Sequence, residues 1–200
     1  MKSFFSMFVK SARELTKVRT LTVTGIFIAV SMVIEMFTIE LPFAKLNFAF
    51  LAIAVIGMLF GPTVGFMAGL VCDVVGFIAH PTGTFLPVYT LVAGLQGLIY
   101  GLCLYYKNDE HRILIDGTDI TLFVRAVIAR LLDVLVINLF MNTFLNLHYG
   151  FIHADSLTAA LTARIAKNLI ELGADIPLLF VILPVSLMAY KRTFGKTAGV

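Results

Sequence analysis

Apolar residues run along the chain in six long blocks, and the charged, glycine and proline residues are concentrated between them. A helix needs about 20 apolar residues to cross the hydrocarbon of a bilayer. The blocks predict six transmembrane helices, at about residues 21–38, 48–60, 62–79, 88–106, 120–145 and 161–190. The last helix is expected to be tilted or broken near Gly173 to Pro177, because proline removes a helical hydrogen bond. The predicted fold class is an all-α integral membrane protein.

Composition and charge support this fold class and indicate an orientation. Apolar residues make up 60% of the 200 residues and charged residues 14%, against about 25% charged in a soluble domain. Five of the fifteen basic residues precede the first block, which predicts a cytoplasmic N-terminus by the positive-inside tendency. An even number of spans then returns the C-terminus to the cytoplasm. The chain has no basic stripe with interleaved aromatics, so we expect no nucleic-acid partner.

The chain divides into three predicted parts. Residues 1–19 form a basic amphipathic segment without the long apolar run of a cleavable signal, and we expect a short helix on the inner membrane surface. Residues 20–192 form the six-helix domain. Residues 193–200 are a C-terminal tail.

Two polar residues lie inside the pair of predicted helices at 62–79 and 88–106. Asp73 is in the first helix, Gln96 is in the second, and the Gly/Pro-rich connection 80–87 joins the two. In lipid, a carboxylate or an amide must find a protein partner or a ligand. Both side chains are therefore candidate binding residues.

The fifth block carries a second set of polar side chains. Those spaced by multiples of four are Arg130, Asn138, Asn142 and Asn146, and in an α-helix they would follow one slowly drifting face. Arg130 lies ~16 Å into its helix, so it must pair with Asp133 or Asp73, or face an aqueous cavity. An Arg130–Asp133 pair and helical asparagines can also serve only to join helices.

The three predicted outer connections, 39–47, 80–87 and 146–160, are rich in Asn, His, Thr, Tyr and Phe. A mostly apolar pocket with a few directed polar groups is typical of small-molecule sites, although outer loops are also commonly just solvated. The candidate pocket residues here are Asn47, His80, Phe85 and Tyr89. The histidine spacing has no metal-site regularity.

Two basic residues begin the last predicted helix from the outside, against the positive-inside tendency. They are Arg164 and Lys167. An anionic substrate drawn into the outer vestibule would explain them, and so would a lipid phosphate.

Catalytic motifs are missing from the sequence. We find no phosphate-binding loop ending in Lys-Ser/Thr, no Gly-x-Ser-x-Gly and no His-Glu-x-x-His. We therefore expect no enzymatic activity, cofactor or metal. Energy for transport would come from an ion gradient or from a separate ATPase subunit.

Long parts of the chain resemble a known family. They include residues 21–35 and 47–102, with Phe-Gly-Pro at 60–62, Gly-x-x-x-Asp-x-x-Gly at 69–76 and Pro-Thr-Gly-x-Phe at 81–85. The segments ARLLDVLVINLFMNTFLNLHYG and TARIAKNLIELGADIP extend the likeness to the last two helices. The chain resembles an S-component, the substrate-binding membrane subunit of energy-coupling factor (ECF) vitamin transporters, and within that family the folate type.

The resemblance implies a six-helix subunit of a prokaryotic plasma membrane that captures its vitamin from outside. Such subunits dock through small residues of the first span onto a membrane coupling subunit, which carries two cytoplasmic ATPases. The matching positions here are Gly25 and Ala29, where the family more often has alanine at both. The sequences at 87–91 and 171–177 also depart from the family pattern.

A folate ligand would suit the candidate residues chemically. Its amino-pyrimidinone edge could pair with the Asp73 carboxylate, and Phe85 and Tyr89 could stack on the ring. The asparagines could contact the remaining edges. Its anionic glutamate tail would be held at the rim by Lys45, Arg164 or Lys167.

Three alternatives stay open at this point. The ligand could be riboflavin, thiamine, pyridoxine or hydroxymethylpyrimidine. The chain could be a proton-coupled carrier with Asp73, Arg130 and Asp133 as its relay. It could also be a structural membrane scaffold without a tight ligand.

Overall fold

A computed structural model of the protein describes residues 2–37, 39–41, 44–81, 84–105, 114–115, 118–151 and 157–194. Its helices are α1 (Lys2–Glu14), α2 (Val18–Met36), α3 (Phe50–Phe60), α4 (Pro62–Ala79), α5 (Pro87–Leu104), α6 (Ile120–Leu132), α7 (Asn142–His148) and α8 (Leu157–Phe194). A π-helical segment, Asp133–Met141, connects α6 directly to α7.

Two antiparallel hairpins are the small exceptions to a helical fold. Strands β1 (Ile39–Leu41) and β2 (Ala44–Leu46) form the first, and β3 (Leu114–Ile115) and β4 (Thr118–Asp119) form the second. Both hairpins lie in predicted connections between helices. Much of the predicted connection 107–119 and of the predicted tail 193–200 lies outside the described residues.

The apolar blocks of the sequence correspond to the helices, which confirms a helical fold with several apolar helices. Among the described residues, four helical stretches are long and apolar enough to cross a membrane: Val18–Met36, Pro62–Ala79, Pro87–Leu104 and Lys167–Phe194. Helix α3 is apolar but shorter. The fifth block forms one continuous helical rod, although its middle is π-helical.

Helix α8 does not break where the sequence suggested. It continues from Leu157 to Phe194 with Pro177 and Pro184 inside it. A proline removes only one backbone hydrogen bond, and a long helix tolerates that loss when packing on its neighbours holds it on both sides. Leu179 follows Pro177 by two residues, and Leu183 directly precedes Pro184. Both side chains are fully buried and provide such packing.

Helix α3 forms the centre of the core. It is apolar on all faces, which is typical of a helix enclosed by others, and Ala54, Val55 and Ile56 have no exposed surface. It packs against α2, α4, α5 and α8. The core is therefore built around a helix too short to span a bilayer without local thinning of the bilayer.

Helices α4 and α5 touch through their backbones. A Cβ atom built on Gly97 would lie 2.0 Å from the carbonyl oxygen of Gly65, and one on Gly65 would lie 2.4 Å from that of Gly97. One turn further along, a Cβ on Gly69 would lie 2.1 Å from the carbonyl oxygen of Ala93. Small residues permit this approach in membrane helix pairs, where dispersion contacts replace the hydrophobic effect.

Helix α1 packs on the turn between α3 and α4. The Ser11 hydroxyl donates to the Phe60 carbonyl (2.8 Å) and accepts from the backbone N–H groups of Thr63 (3.0 Å) and Val64 (3.2 Å). Gly61 has φ of +91°, and a Cβ on it would lie 2.9 Å from Ser11 Oγ. Ser11 thus satisfies the start of α4 as an N-cap residue would, but from a distant part of the sequence.

We expect Gly97→Ala to destabilise the protein by about 1–3 kcal/mol, because the added methyl group must push α4 and α5 apart. Gly173→Ala, in α8, is the matched control, since its Cβ would meet nothing within 4 Å. Thermal unfolding in detergent should show a lower midpoint for the first variant only. Equal midpoints for the two variants would contradict the backbone contact.

Candidate functional site

Two adjoining cavities lie within the helical bundle. The rim cavity, of about 870 Å³, lies where α2 and α4 end and α5 begins. The core cavity, of about 300 Å³, lies deeper, beside α3 and the first half of α8. Glu35, Cys72 and Asp73 line both cavities. These three side chains therefore form a shared wall between a wide entrance and a polar interior.

Arg130 forms the centre of a buried polar network at the end of the core cavity. Its Nη1 forms an ion pair with Asp133, and its Nε and Nη2 donate to Asp175 Oδ2 at 3.0 and 2.5 Å. Nη1 also donates to the Tyr100 hydroxyl at 3.2 Å. The guanidinium carbon lies 4.1 Å from the centre of the Phe50 ring, in cation–π geometry. Arg130 is 4% exposed, so each contact is desolvated.

Asp133 has further donors of its own. Gln96 Nε2 lies 3.0 and 3.1 Å from its two carboxylate oxygens, and the Tyr100 hydroxyl donates to Oδ2 at 3.2 Å. Two carboxylates thus face one guanidinium, and neutral donors supply the remaining hydrogen bonds. Because buried ion pairs tolerate little loss of a partner, this network ties α5, α6, the π-helical segment and α8 together.

The predicted partners of Arg130 are correct in part. Asp133 is a partner, as expected, but Asp73 is not, because α4 directs it to the shared wall. There its Oδ2 accepts a hydrogen bond of 2.6 Å from the Thr90 hydroxyl of α5. Asp73 therefore remains a candidate for contact with a ligand.

Three carboxylates of the site were not among the predicted residues. Glu35 of α2 lines both cavities, and Asp175 of α8 lines the core cavity. Each lies within an otherwise apolar stretch of helix, and that is the signal that could have identified them. Glu171, one turn before Asp175, also lines the core cavity.

The asparagines of the fifth block do not share one wall. Asn138 lines the core cavity, and Asn146 lines the rim cavity and accepts a 2.6 Å hydrogen bond from the Tyr89 hydroxyl. Asn142 Nδ2 donates to Asn138 Oδ1 at 3.4 Å. Asn138 and Asn146 are eight residues apart along the helical block, which is ~12 Å at 1.5 Å per residue. They therefore reach different cavities.

Aromatic side chains surround the rim cavity. The rings of Phe77 and Phe85 lie 5.0 Å apart, and Tyr89 lies 6.5 Å from Phe151. His80 lines the same cavity. The predicted aromatic residues thus gather where a flat ring would enter.

Most of the predicted polar residues at the rim have partners within the chain. Asn47 lines the core cavity, and its Oδ1 accepts from the Ala49 N–H at 2.8 Å. Lys167 lies 3.3 Å from Glu171. Arg164 donates to the Asn138 carbonyl and the Thr143 hydroxyl. The side chain of Lys45 lies outside the described residues.

The predicted docking residues lie on an exposed face of α2. Gly25 and Ala29 are exposed, and a Cβ on Gly25 would meet nothing within 4 Å. Ile26 and Val33 nearby are 57% and 55% exposed. The small residues thus lie on an apolar helix face that the described part of the chain does not cover.

Comparisons with known proteins agree on one family. A family model described as "ECF transporter, substrate-specific component" matches residues 19–183. The folate transporter FolT of Clostridium novyi is 32% identical over 110 residues, which cover 54% of this chain and 64% of that protein. The folate transporter FolT of Leuconostoc mesenteroides is 28% identical over 154 residues, which cover 76% of this chain and 77% of that protein.

A solved structure has the same fold. The crystal structure of FolT bound with folic acid aligns with a TM-score of 0.63 and 29% sequence identity, and covers 82% of this chain and 91% of that chain. The alignment to the Clostridium relative spans less than two thirds of that protein.

We expect Arg130→Met to destabilise the protein by about 3–5 kcal/mol, because it leaves Asp133 and Asp175 buried without a cation. Arg13→Met, at an exposed position of α1, removes the same charge without such a partner and serves as the control. Thermal unfolding in detergent at neutral pH measures both. A midpoint for Arg130→Met equal to the control would show that the network contributes no stability.

Proposed function

The chain belongs to the family of substrate-specific components of ECF transporters, and from that membership we propose that it captures folate or a reduced folate outside the cell for import. Members of this family bind a transport substrate and are not enzymes. Two relatives named folate transporter, and the similar fold of a FolT that holds folic acid, support the choice of ligand. The observation that carries the proposal is the FolT-like fold with its polar, aromatic-rimmed cavity.

The dimensions of the cavities support a ligand of this class. Small-molecule sites usually measure about 300–1,000 Å³ and combine an apolar wall with a few directed polar groups. The rim cavity has about 870 Å³. Phe85 and Tyr89 would stack on the flat ring system, and the core cavity would receive its polar edge.

The acceptor-rich shared wall supports recognition of a donor edge. A pterin presents an amino group and a ring N–H side by side, and one carboxylate can accept from both. Asp73 and Glu35 carry such carboxylates into the cavities. Gln96, Asn47, Asn138 and Asn146 would contact further polar atoms of the ring, and His80 would lie beside the entering ligand.

The glutamate tail would remain near the rim. Its carboxylates need cations or ordered donors when they leave water. Lys45 and Lys167 are the proposed anchors, whereas Arg164 is already engaged by the Asn138 carbonyl and the Thr143 hydroxyl.

We place the protein in a bacterial plasma membrane with six spans and both termini in the cytoplasm. Residues 20–192 would form the substrate-binding domain, preceded by the basic segment 1–19. The Arg19 guanidinium lies 5.3 Å from the ring centres of both Tyr190 and Phe194. This contact joins the start of α2 to the end of α8, and it supports an even number of spans.

Import would require partners, because the sequence carries no nucleotide-binding motif. A membrane coupling subunit with two cytoplasmic ATPases is the partner set of this family. The exposed face of α2 around Gly25 and Ala29 supports docking there, since small residues let a second helix approach closely.

We expect purified protein to bind folic acid with nanomolar affinity, and Asp73→Asn to weaken binding about 10- to 100-fold, as a lost hydrogen bond to a charged group costs about 1.5–3 kcal/mol. Ile78→Ala is the matched control, on the same helix but 74% exposed. Calorimetric titration, with riboflavin, thiamine and pyridoxine in parallel, measures the affinities.

Other outcomes of this titration have distinct meanings. Tight binding of another vitamin in place of folate would keep the family and change the ligand. Absence of binding across the panel, with uptake by proteoliposomes that contain no ATPase subunit, would replace the proposal with a proton-coupled carrier.

We expect Gly25→Leu to leave the affinity for folic acid unchanged while it weakens assembly with the coupling subunit. The larger side chain projects from the exposed face, where a Cβ atom would meet none of the described residues within 4 Å. Co-purification with tagged coupling and ATPase subunits measures assembly, and Val30→Ala, exposed on another face of the same helix, is the control. Normal assembly of Gly25→Leu would move the docking surface elsewhere.

A further inference from the structure

Arg164 is turned toward its own chain. Its Nη1 lies 3.3 Å from the backbone carbonyl oxygen of Asn138 and 3.2 Å from the Thr143 hydroxyl. Both partners belong to the fifth helical block, whereas Arg164 belongs to α8. A guanidinium only donates hydrogen bonds, so the Asn138 carbonyl is a true acceptor here. The contact joins the two elements on the side of the core cavity.

The carbonyl that accepts from Arg164 lies in the π-helical segment. The backbone N–H of Asn142 bonds to the carbonyl of Ile137, five residues earlier, which is the π-helical pattern. At Asn138, the Thr143 hydroxyl donates to the carbonyl at 3.3 Å, alongside Arg164. Two side chains thus converge on one backbone oxygen where the helix has wide turns.

The position of Arg164 is itself fixed. Asn168, which is 5% exposed, donates through Nδ2 to the Arg164 carbonyl at 2.9 Å. Thr143 has no exposed surface. Asn168 therefore restrains the backbone at Arg164, and the Arg164 guanidinium contacts a buried hydroxyl.

The same backbone position carries a side chain of the site. Asn138 lines the core cavity, and its Oδ1 accepts from Asn142. A donor that holds the Asn138 carbonyl restrains the backbone there, and with it the direction of the Asn138 Cα–Cβ bond. Among the described residues of the core cavity wall, Asn138 is the one from the π-helical segment.

We infer that Arg164 is a positioning residue that acts through Asn138, and not an anchor for the anionic tail of the ligand. This inference rests on the proposed function. The position of Arg164 near the predicted outer face had suggested another role, that of an anchor for an anionic substrate. The inference replaces that role. It also assigns the π-helical segment a purpose, which is to present Asn138 to the ring of the bound ligand.

The experiment compares two ligands in a double-mutant cycle. Folic acid and pteroic acid share the ring system, but pteroic acid lacks the glutamate. Affinities for both are measured for the unchanged protein, Arg164→Met, Asn138→Ala and the double variant. We expect Arg164→Met to weaken both ligands alike, by about tenfold, the order expected for a misplaced hydrogen bond. In the Asn138→Ala background it should cause no further loss, because residues that act through one contact are non-additive.

Two controls accompany the cycle. Arg192→Met removes the same charge at an exposed position of α8 and should leave both affinities unchanged. Arg164→Lys keeps a donor near the carbonyl and should restore part of the affinity for both ligands.

The contrary results are distinct. A loss confined to folic acid would make Arg164 the tail anchor. An equal loss that persists in the Asn138→Ala background would reduce Arg164 to general support of the fold, and unchanged affinities would remove it from the site. If the unchanged protein binds neither ligand, the proposed function itself fails.

Discussion

A guanidinium inside an apolar bundle must be paired, and the arrangement of most helices follows from this requirement. Arg130 receives carboxylates from Asp133 and Asp175 and a ring face from Phe50. These groups come from different helices, so the fold must bring α3, the fifth helical block and α8 together before the charge is compensated. The cost of failing to do so is several kcal/mol, a large part of the stability of a domain of this size.

The two sides of the bundle are held in different ways. Between α4 and α5, glycines allow direct backbone contact, which leaves no space for a ligand or for water. Around α8 and the π-helical segment, polar side chains keep the helices apart and line a cavity. The rigid pair carries Asp73 and Gln96 on its far side. A ligand would therefore meet polar groups from α4 and α5 on one side, and from the π-helical segment and α8 on the other.

Periodic and local features were predictable from the sequence, and contacts across the fold were not. The apolar blocks gave the helices because burial in lipid requires long apolar stretches. Isolated polar residues such as Asp73 and Gln96 stood out for the same reason. Asp175 was missed as a partner of Arg130 because the pairing depends on how α8 packs. The π-helical segment has no sequence signal as simple as a proline, so its wider turns could not be predicted.

The contact made by Ser11 has a consequence for how the chain folds during its synthesis. As the ribosome releases the polypeptide, α1 is complete long before α4, and the first backbone amides of α4 find their acceptor only when the earlier helix lies beside them. A product shortened past Ser11 would therefore lose an acceptor inside the bundle and not merely a surface appendage. The N-terminal helix thus completes the hydrogen bonding of the first turn of α4. It belongs to the same cooperative unit as the helices that follow it.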